Sequence, residues 1–185
     1  MDRMRSVGTS GGERELAGAD QRAAFAQLAD HHLDRAYRLA GVILGDSFEA
    51  EDATHDAVVM AWRHFGSLRD PARFEAWFQR ILVNACRDRL RRRRRSPVVE
   101  IEATPERPAG GEDFDSVDDR LALDRAFATL NPDQRLAVVL RFYADLTVEE
   151  IADRTGVPAG TVKSRLHTAT QRLHHALGPN PEAAR

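Results

Sequence analysis

Residues Leu146–Leu177 read LTVEEIADRTGVPAGTVKSRLHTATQRLHHAL. Thr147 is placed to cap a helix, and Glu150 three residues later completes a capping box. Val148, Ile151 and Ala152 supply an apolar stripe at helical spacing. Gly156 suits the left-handed residue that ends a helix. Val157 fills the turn, and Pro158 opens a second helix at a position where no N–H is needed. Val162, Leu166 and Leu173 then recur at helical spacing. Thr161, Lys163, Ser164, Arg165 and His167 are left mostly on the outer face. Two short helices joined by such a turn form a helix-turn-helix, which sets its second helix in the DNA major groove. A plain helical hairpin would share the spacing, but it has no need of a basic outer face on its second helix.

The 185 residues allow one or two domains. The formal net charge of −2 hides an uneven distribution. Residues 20–96 carry 14 arginines against 11 acids, residues 97–119 carry one arginine against eight acids, and residues 120–185 carry nine cations against seven acids. Lys163 is the only lysine. The single cysteine, Cys86, excludes an internal disulfide and a cysteine zinc site, and it falls in an apolar helical stripe, where a thiol is a buried packing group. No stretch of about 18 apolar residues occurs, and the first 20 residues lack a signal-peptide core, so a cytoplasmic protein is expected.

Outward from the opening stretch, helical periodicity dominates and no strand-like alternation appears. The expected fold is all-α: two small helical domains on a flexible acidic linker. Residues 1–19, rich in glycine, serine and charge, read as a disordered leader. Residues 20–96 form the first domain. Its middle helix opens near Ser47 with Glu49, Glu51, Asp52, His55 and Asp56 in its first turns, where acids suit the helix dipole. Its last helix carries Phe74, Trp77, Phe78, Ile81, Leu82, Ala85, Cys86 and Leu90 on one face. Arg80, Asn84, Arg87, Asp88 and Arg91 lie on the other. Seven of the nine residues from Arg87 to Arg95 are arginine, more than a helix terminus requires, so a patch for phosphate or acidic groups is expected. Residues 97–116 hold Pro97, Pro105, Pro108 and Gly110–Gly111 among acids, and read as a tether. Residues 117–178 form the second domain, with Asn131–Pro132 opening a helix ahead of the helix-turn-helix, and residues 179–185 are a tail.

Three segments, AEDATHDAVVMAWRHF (residues 50–65), FEAWFQRILVNACRDRLRRRRR (74–95) and LNPDQRLAVVLRFYADLTVEEIADRTGVPAGTVKSRL (130–166), resemble the extracytoplasmic-function (group IV) sigma factors of bacterial RNA polymerase. The order and spacing of all three carry the resemblance. It implies a sigma-2-like first domain, a sigma-4-like second domain and core polymerase as partner, through the β′ clamp and the β flap. By this resemblance Glu51, Asp52, His55, Asp56 and Val59 meet the clamp, with Trp62 mainly packing. The −10 element would be opened and read by the loop Gly66–Arg73 and by Arg80, Asn84, Arg87 and Arg91. Opening a strand requires a pocket for an extruded base and cations for the displaced phosphates. The −35 element would be read by Thr161, Lys163, Ser164, Arg165 and His167 at the start of the second helix, with Arg135 and Arg141 as further phosphate contacts. An anti-sigma partner is a further implication.

Two departures stand out. His55 occupies a position where the family often has glutamine. Thr168 and Thr170 stand where a basic pair often follows the SRL segment, which implies weaker, less salt-dependent duplex binding. A promoter-binding regulator with a fused helical sensor is the competing reading, but it leaves residues 50–95 without a purpose. An enzyme is disfavoured, because no nucleophile–base spacing, metal constellation or phosphate-cradling glycine loop is present. The adjacent pairs His31–His32 and His174–His175 diverge around a helix, so no metal site and no cofactor are expected.

Overall fold

The computed structural model describes residues 9–95 and 117–178. The expected linker, the tail after residue 178 and the first eight residues lie outside that range. The described residues contain seven α-helices and no strand. The first three are α1 (Thr9–Leu44), α2 (Ser47–His64) and α3 (Phe74–Arg95). The other four are α4 (Val117–Ala128), α5 (Pro132–Phe142), α6 (Val148–Thr155) and α7 (Ala159–Leu177). The α1 backbone reaches back to Thr9, into the segment expected to lack structure, and continues unbroken to Leu44.

Helices α1, α2 and α3 pack on one another as a first module. The sequence of α2 explains how closely. Ala50, Ala53, Ala57 and Ala61 recur every three or four residues and are fully buried. A stripe of methyl groups lets the flanking helices approach, because side-chain size sets helix separation. Asp46 caps α2 by accepting a hydrogen bond from the Glu49 N–H at 2.9 Å. Between α2 and α3 the chain makes two 3₁₀ turns, Phe65–Ser67 and Pro71–Arg73, the second capped by the Asp70 carboxylate. Phe74 then anchors an aromatic cluster: it stacks on Phe78 at 5.6 Å and meets Phe25, Phe65 and Trp77 at 5.8–6.2 Å. Trp77 therefore packs, as its stripe implied. Trp62 meets the Phe25 ring edge-on at 5.3 Å while staying partly exposed.

Helices α4 to α7 form the second module, in which α7 packs against α4, α5 and α6. Asn131 and Gln134 make a reciprocal capping box at the start of α5. A small cluster of Leu130, Val138 and Ala169 lies within this module. The larger core does not stop at the module boundary. Leu136, Val139, Leu140, Leu146, Ile151 and Val162 belong to the same buried cluster as Ile43, Phe78, Leu82 and Cys86. Helices α5 and α6 lie against α3, and α5 also touches α1.

Gly45 marks one of these junctions. Its φ of +71° ends α1, and an added Cβ would lie 2.9 Å from the Arg135 guanidinium of α5. Burial pushes the Cys86 thiol up to about 12, against a lowering pull from the Arg89 charge. Two measurements check this packing. Ala57→Leu, which overfills the α2 seam, should lower unfolding free energy by about 1–3 kcal/mol in urea titrations. Cys86 should react with a thiol reagent only as fast as the chain unfolds; immediate labelling of the native protein would contradict its burial.

Candidate nucleic-acid interface

The helix-turn-helix forms as the capping residues dictate. The Thr147 hydroxyl accepts from the Glu150 N–H at 3.2 Å, and the Glu150 carboxylate accepts from the Thr147 N–H and hydroxyl, both at 2.9 Å. Gly156 adopts φ +69°, and its N–H closes α6 onto the Ala152 carbonyl at 2.8 Å. Val157 and Val148 pack onto the core, and Ile151 is fully buried. This fixes α7 so that Lys163, Ser164 and His167 are exposed near its start, with Thr161 half-buried beside them. Arg165 differs from them: its side chain is largely covered, and its Nη2 lies 3.3 Å from the Asp133 carboxylate. At the departure noted after Leu166, the Thr170 hydroxyl bonds back to the Leu166 carbonyl at 2.8 Å.

On α3, Arg87 and Arg91 turn toward the second module, while Asn84 lines the groove between α2 and α3. Arg87 Nη1 donates to the Thr155 carbonyl of α6 at 3.2 Å, and Nη2 to the Asn84 side-chain oxygen at 2.7 Å. Its Nε is buried with no hydrogen-bond partner among the described residues. Arg91 Nη2 donates to Asp133 at 3.1 and 3.3 Å. Arg80 and Arg73 remain exposed. The buried Gln79, also on α3, accepts from Arg154 Nε of α6 at 2.9 Å. The structure thus brings Arg87, Arg91 and Arg165 to one seam, sets Arg80 at its edge beside Gly156, and leaves Arg73, Lys163, Ser164 and His167 exposed, with Asn84 on the groove between α2 and α3.

The acidic face of α2 forms a separate surface. Glu51, Asp52, His55 and Asp56 are exposed and Val59 is half-buried. Arg89 of α3 lies along this row, 2.9 Å from Glu49, 3.5 Å from Asp52 and 2.7 Å from Asp56. Burial works against the Arg89 cation, but its hydrogen bonds to Glu49 and Asp56 outweigh that and hold it above the usual arginine range. Beside it, an open groove of about 530 Å³ runs between α2 and α3, lined in part by Val59, Met60 and Ile81 with Asp88 and Arg92.

Several arginines also have partners inside the chain. Arg135 donates from Nε to the Ile43 carbonyl and lies over the Phe127 ring at 5.2 Å, so it caps α1 across the seam. Arg141 Nη1 is held by the Leu146 carbonyl at 3.1 Å. Arg93 caps α1 as well, through the Leu44 carbonyl, and pairs with Asp46, each at 3.1 Å. Asp133 and Gln79 carry no site assignment in the sequence, whereas Arg89 falls in the arginine run expected to meet acidic groups. Gln79 carries a signal too, because it sits on the core side of α3 between Phe78 and Leu82.

The comparisons follow the same division. The family model for Sigma-70 region 2 matches residues 28–96, and that for Sigma-70 region 4 matches residues 126–175. The ECF RNA polymerase sigma factor SigM of Mycobacterium tuberculosis is 38% identical over 163 residues, covering 86% of this chain and 80% of the relative. SigL of the same species, also an ECF RNA polymerase sigma factor, is 32% identical over 165 residues, covering 87% and 93%. The sigma factor RpoE of Bartonella quintana, solved in complex with the anti-sigma factor NepR, superposes with a TM-score of 0.64. It is 29% identical, with 83% of this chain and 96% of that chain covered.

The capping box gives a testable pH dependence. The Thr147 N–H and hydroxyl hold the Glu150 carboxyl below its ordinary value. Its contribution is therefore complete above the ordinary glutamate range and is lost as pH falls through the depressed value. Glu150→Ala should lower the urea midpoint at neutral pH, with the gap from the parent closing in acid; a constant gap would contradict the box. Thr147→Ala should cost about 1 kcal/mol at neutral pH.

Proposed function

This chain belongs to the ECF family of RNA polymerase sigma factors, and on that premise we propose which of its surfaces meets the polymerase and which reads the promoter. As a member it is a non-enzymatic subunit: it binds core RNA polymerase and directs initiation at promoters, while the polymerase performs the chemistry. A helix-turn-helix and a separate arginine-rich helix on one chain support the division of labour. A regulator that binds duplex alone needs a helix-turn-helix but not a separate arginine-faced helix.

In this reading residues 20–96 are the polymerase-binding and −10 module, residues 97–116 the tether and residues 117–178 the −35 module. Lys163, Ser164 and His167 stand exposed at the start of α7, where side chains of a recognition helix reach base edges. With Thr161 and Arg165 they read the −35 duplex. Arg73 and Arg80 take phosphates of the −10 segment. Asn84 offers an amide to an extruded base, and Arg87 and Arg91 join once their face is uncovered. The exposed carboxylates of Glu51, Asp52 and Asp56, with His55 and Val59, form the surface for the β′ clamp. Of the three acids that Arg89 pairs with, Glu49, Asp52 and Asp56, Asp52 is the most open, at 73% side-chain exposure. The second module meets the β flap.

We place the protein in the cytoplasm, with the polymerase and the chromosome; no described helix is long and apolar enough to cross a membrane. RpoE of Bartonella quintana is held by an anti-sigma factor. A partner of that class, released by stress or an envelope signal, is the regulation we propose here.

Run-off transcription with purified core polymerase tests the reading. The folded chain should direct transcripts from particular promoters of its host genome, and failure on every promoter would overturn it. Lys163→Ala should weaken duplex binding and reduce the log–log salt slope by about one unit, as loss of one phosphate contact does. Asp52→Asn with Asp56→Asn should weaken core-polymerase binding far more than it changes duplex binding.

A further inference from the structure

One carboxylate gathers cations from both proposed DNA surfaces. Asp133, the second residue of α5, accepts from Arg91 of α3 through both its oxygens, at 3.1 and 3.3 Å. It also lies 3.3 Å from Arg165 of α7. The Asp133 and Arg165 side chains are only 23% and 24% exposed, while Arg91, which reaches them across the seam, keeps 45% of its side chain open to water. Two guanidinium groups converging on one anion is the arrangement a DNA phosphate would receive. We propose that Asp133 is an internal phosphate surrogate that latches the free chain shut and withholds Arg91 of the −10 face and Arg165 of the −35 face from DNA. The inference rests on the assignment of those surfaces given above and adds how they are regulated.

The rest of the seam makes the latch a two-state device. Ile151, Leu136 and Leu140 bury against the first module's core, which favours closure. Arg87 opposes it: the closed state buries its Nε without a partner, a cost that disappears on opening. Arg87 is engaged by the Thr155 carbonyl and the Asn84 oxygen, so its guanidinium cannot meet a phosphate while the seam is shut. Arg154 on Gln79 and Arg135 on the Ile43 carbonyl set the register of the two modules. Opposing contributions of this kind leave an equilibrium that one partly exposed ion pair can shift by about fivefold.

The test uses the full chain, with a fluorescent mixed-sequence duplex for affinity and small-angle scattering for dimensions. Asp133→Asn should bind the duplex about fivefold more tightly than the parent, and its radius of gyration should rise. Asp153→Asn removes the same charge from an exposed site on α6 and should do neither. Arg91→Gln breaks the latch from the other side, so it too should expand the chain. In the Asp133→Asn background it should add no further expansion, as a shared interaction requires. Arg165→Gln should cost more affinity in the Asp133→Asn background than in the parent, where Arg165 is already engaged. Circular dichroism establishes that each variant is folded, and Arg91→Gln carries the test if Asp133→Asn is not. Equal affinity and equal dimensions for Asp133→Asn and Asp153→Asn would overturn the latch. Run-off transcription by the parent is scored separately. Transcription without expansion defeats the latch alone, and expansion without transcription defeats the promoter reading.

Discussion

The burial of Ile151, Leu136 and Leu140 against the core beneath α3 is the constraint on which the remaining structure depends. Because α5 and α6 contribute them to a core shared with Ile43, Phe78 and Leu82, the two modules share one apolar interior. Every polar contact across the seam is then fixed in register. The Arg87 contact to Thr155, the Arg154 contact to Gln79 and the Arg135 cap on α1 all lie where the apolar surfaces bring the helices together.

The arginine-rich end of α3 looks different in this setting. A run from Arg87 to Arg95 suggests a solvent-facing cationic patch. In the structure four of its seven arginines have internal work. Arg89 neutralises the acid row of α2, Arg93 caps α1, Arg87 holds α6, and Arg91 holds α5. Arg92, Arg94 and Arg95 remain exposed at the helix end. Charge that seems surplus in a linear count is largely used in joining helices. The acids of α2 have the same double character, since the row that makes a polymerase surface is also what holds Arg89 in place.

How far the sequence foretold this follows from the range of its signals. Helix identity and helix ends depend on neighbours within four residues, and they were readable: the boxes at Asn131–Gln134 and Thr147–Glu150 and the left-handed Gly156 all formed. The all-α architecture followed from the same periodicities. The covered half of α3 was not readable, because a face bearing Arg87 and Arg91 has the same pattern whether it meets water, DNA or another module. Asp133 looked like an ordinary first-turn acid, since its two arginines lie 42 and 32 positions away in the sequence. Of the candidate residues, the exposed ones on α7 stand where their spacing placed them, whereas Arg135 and Arg141 were claimed by nearby carbonyls that no local pattern reveals.

A chain whose two modules share one core, with Arg91 and Arg165 paired at their seam, must separate its modules to span two promoter elements, and that movement is the central claim. It is tested most directly by energy transfer between dyes on Ser67 and His174, both exposed and one on each module, each converted to cysteine in a Cys86→Ala background. The account predicts high transfer in the free chain and a marked fall when core RNA polymerase is added. Unchanged transfer in a holoenzyme that transcribes would contradict it.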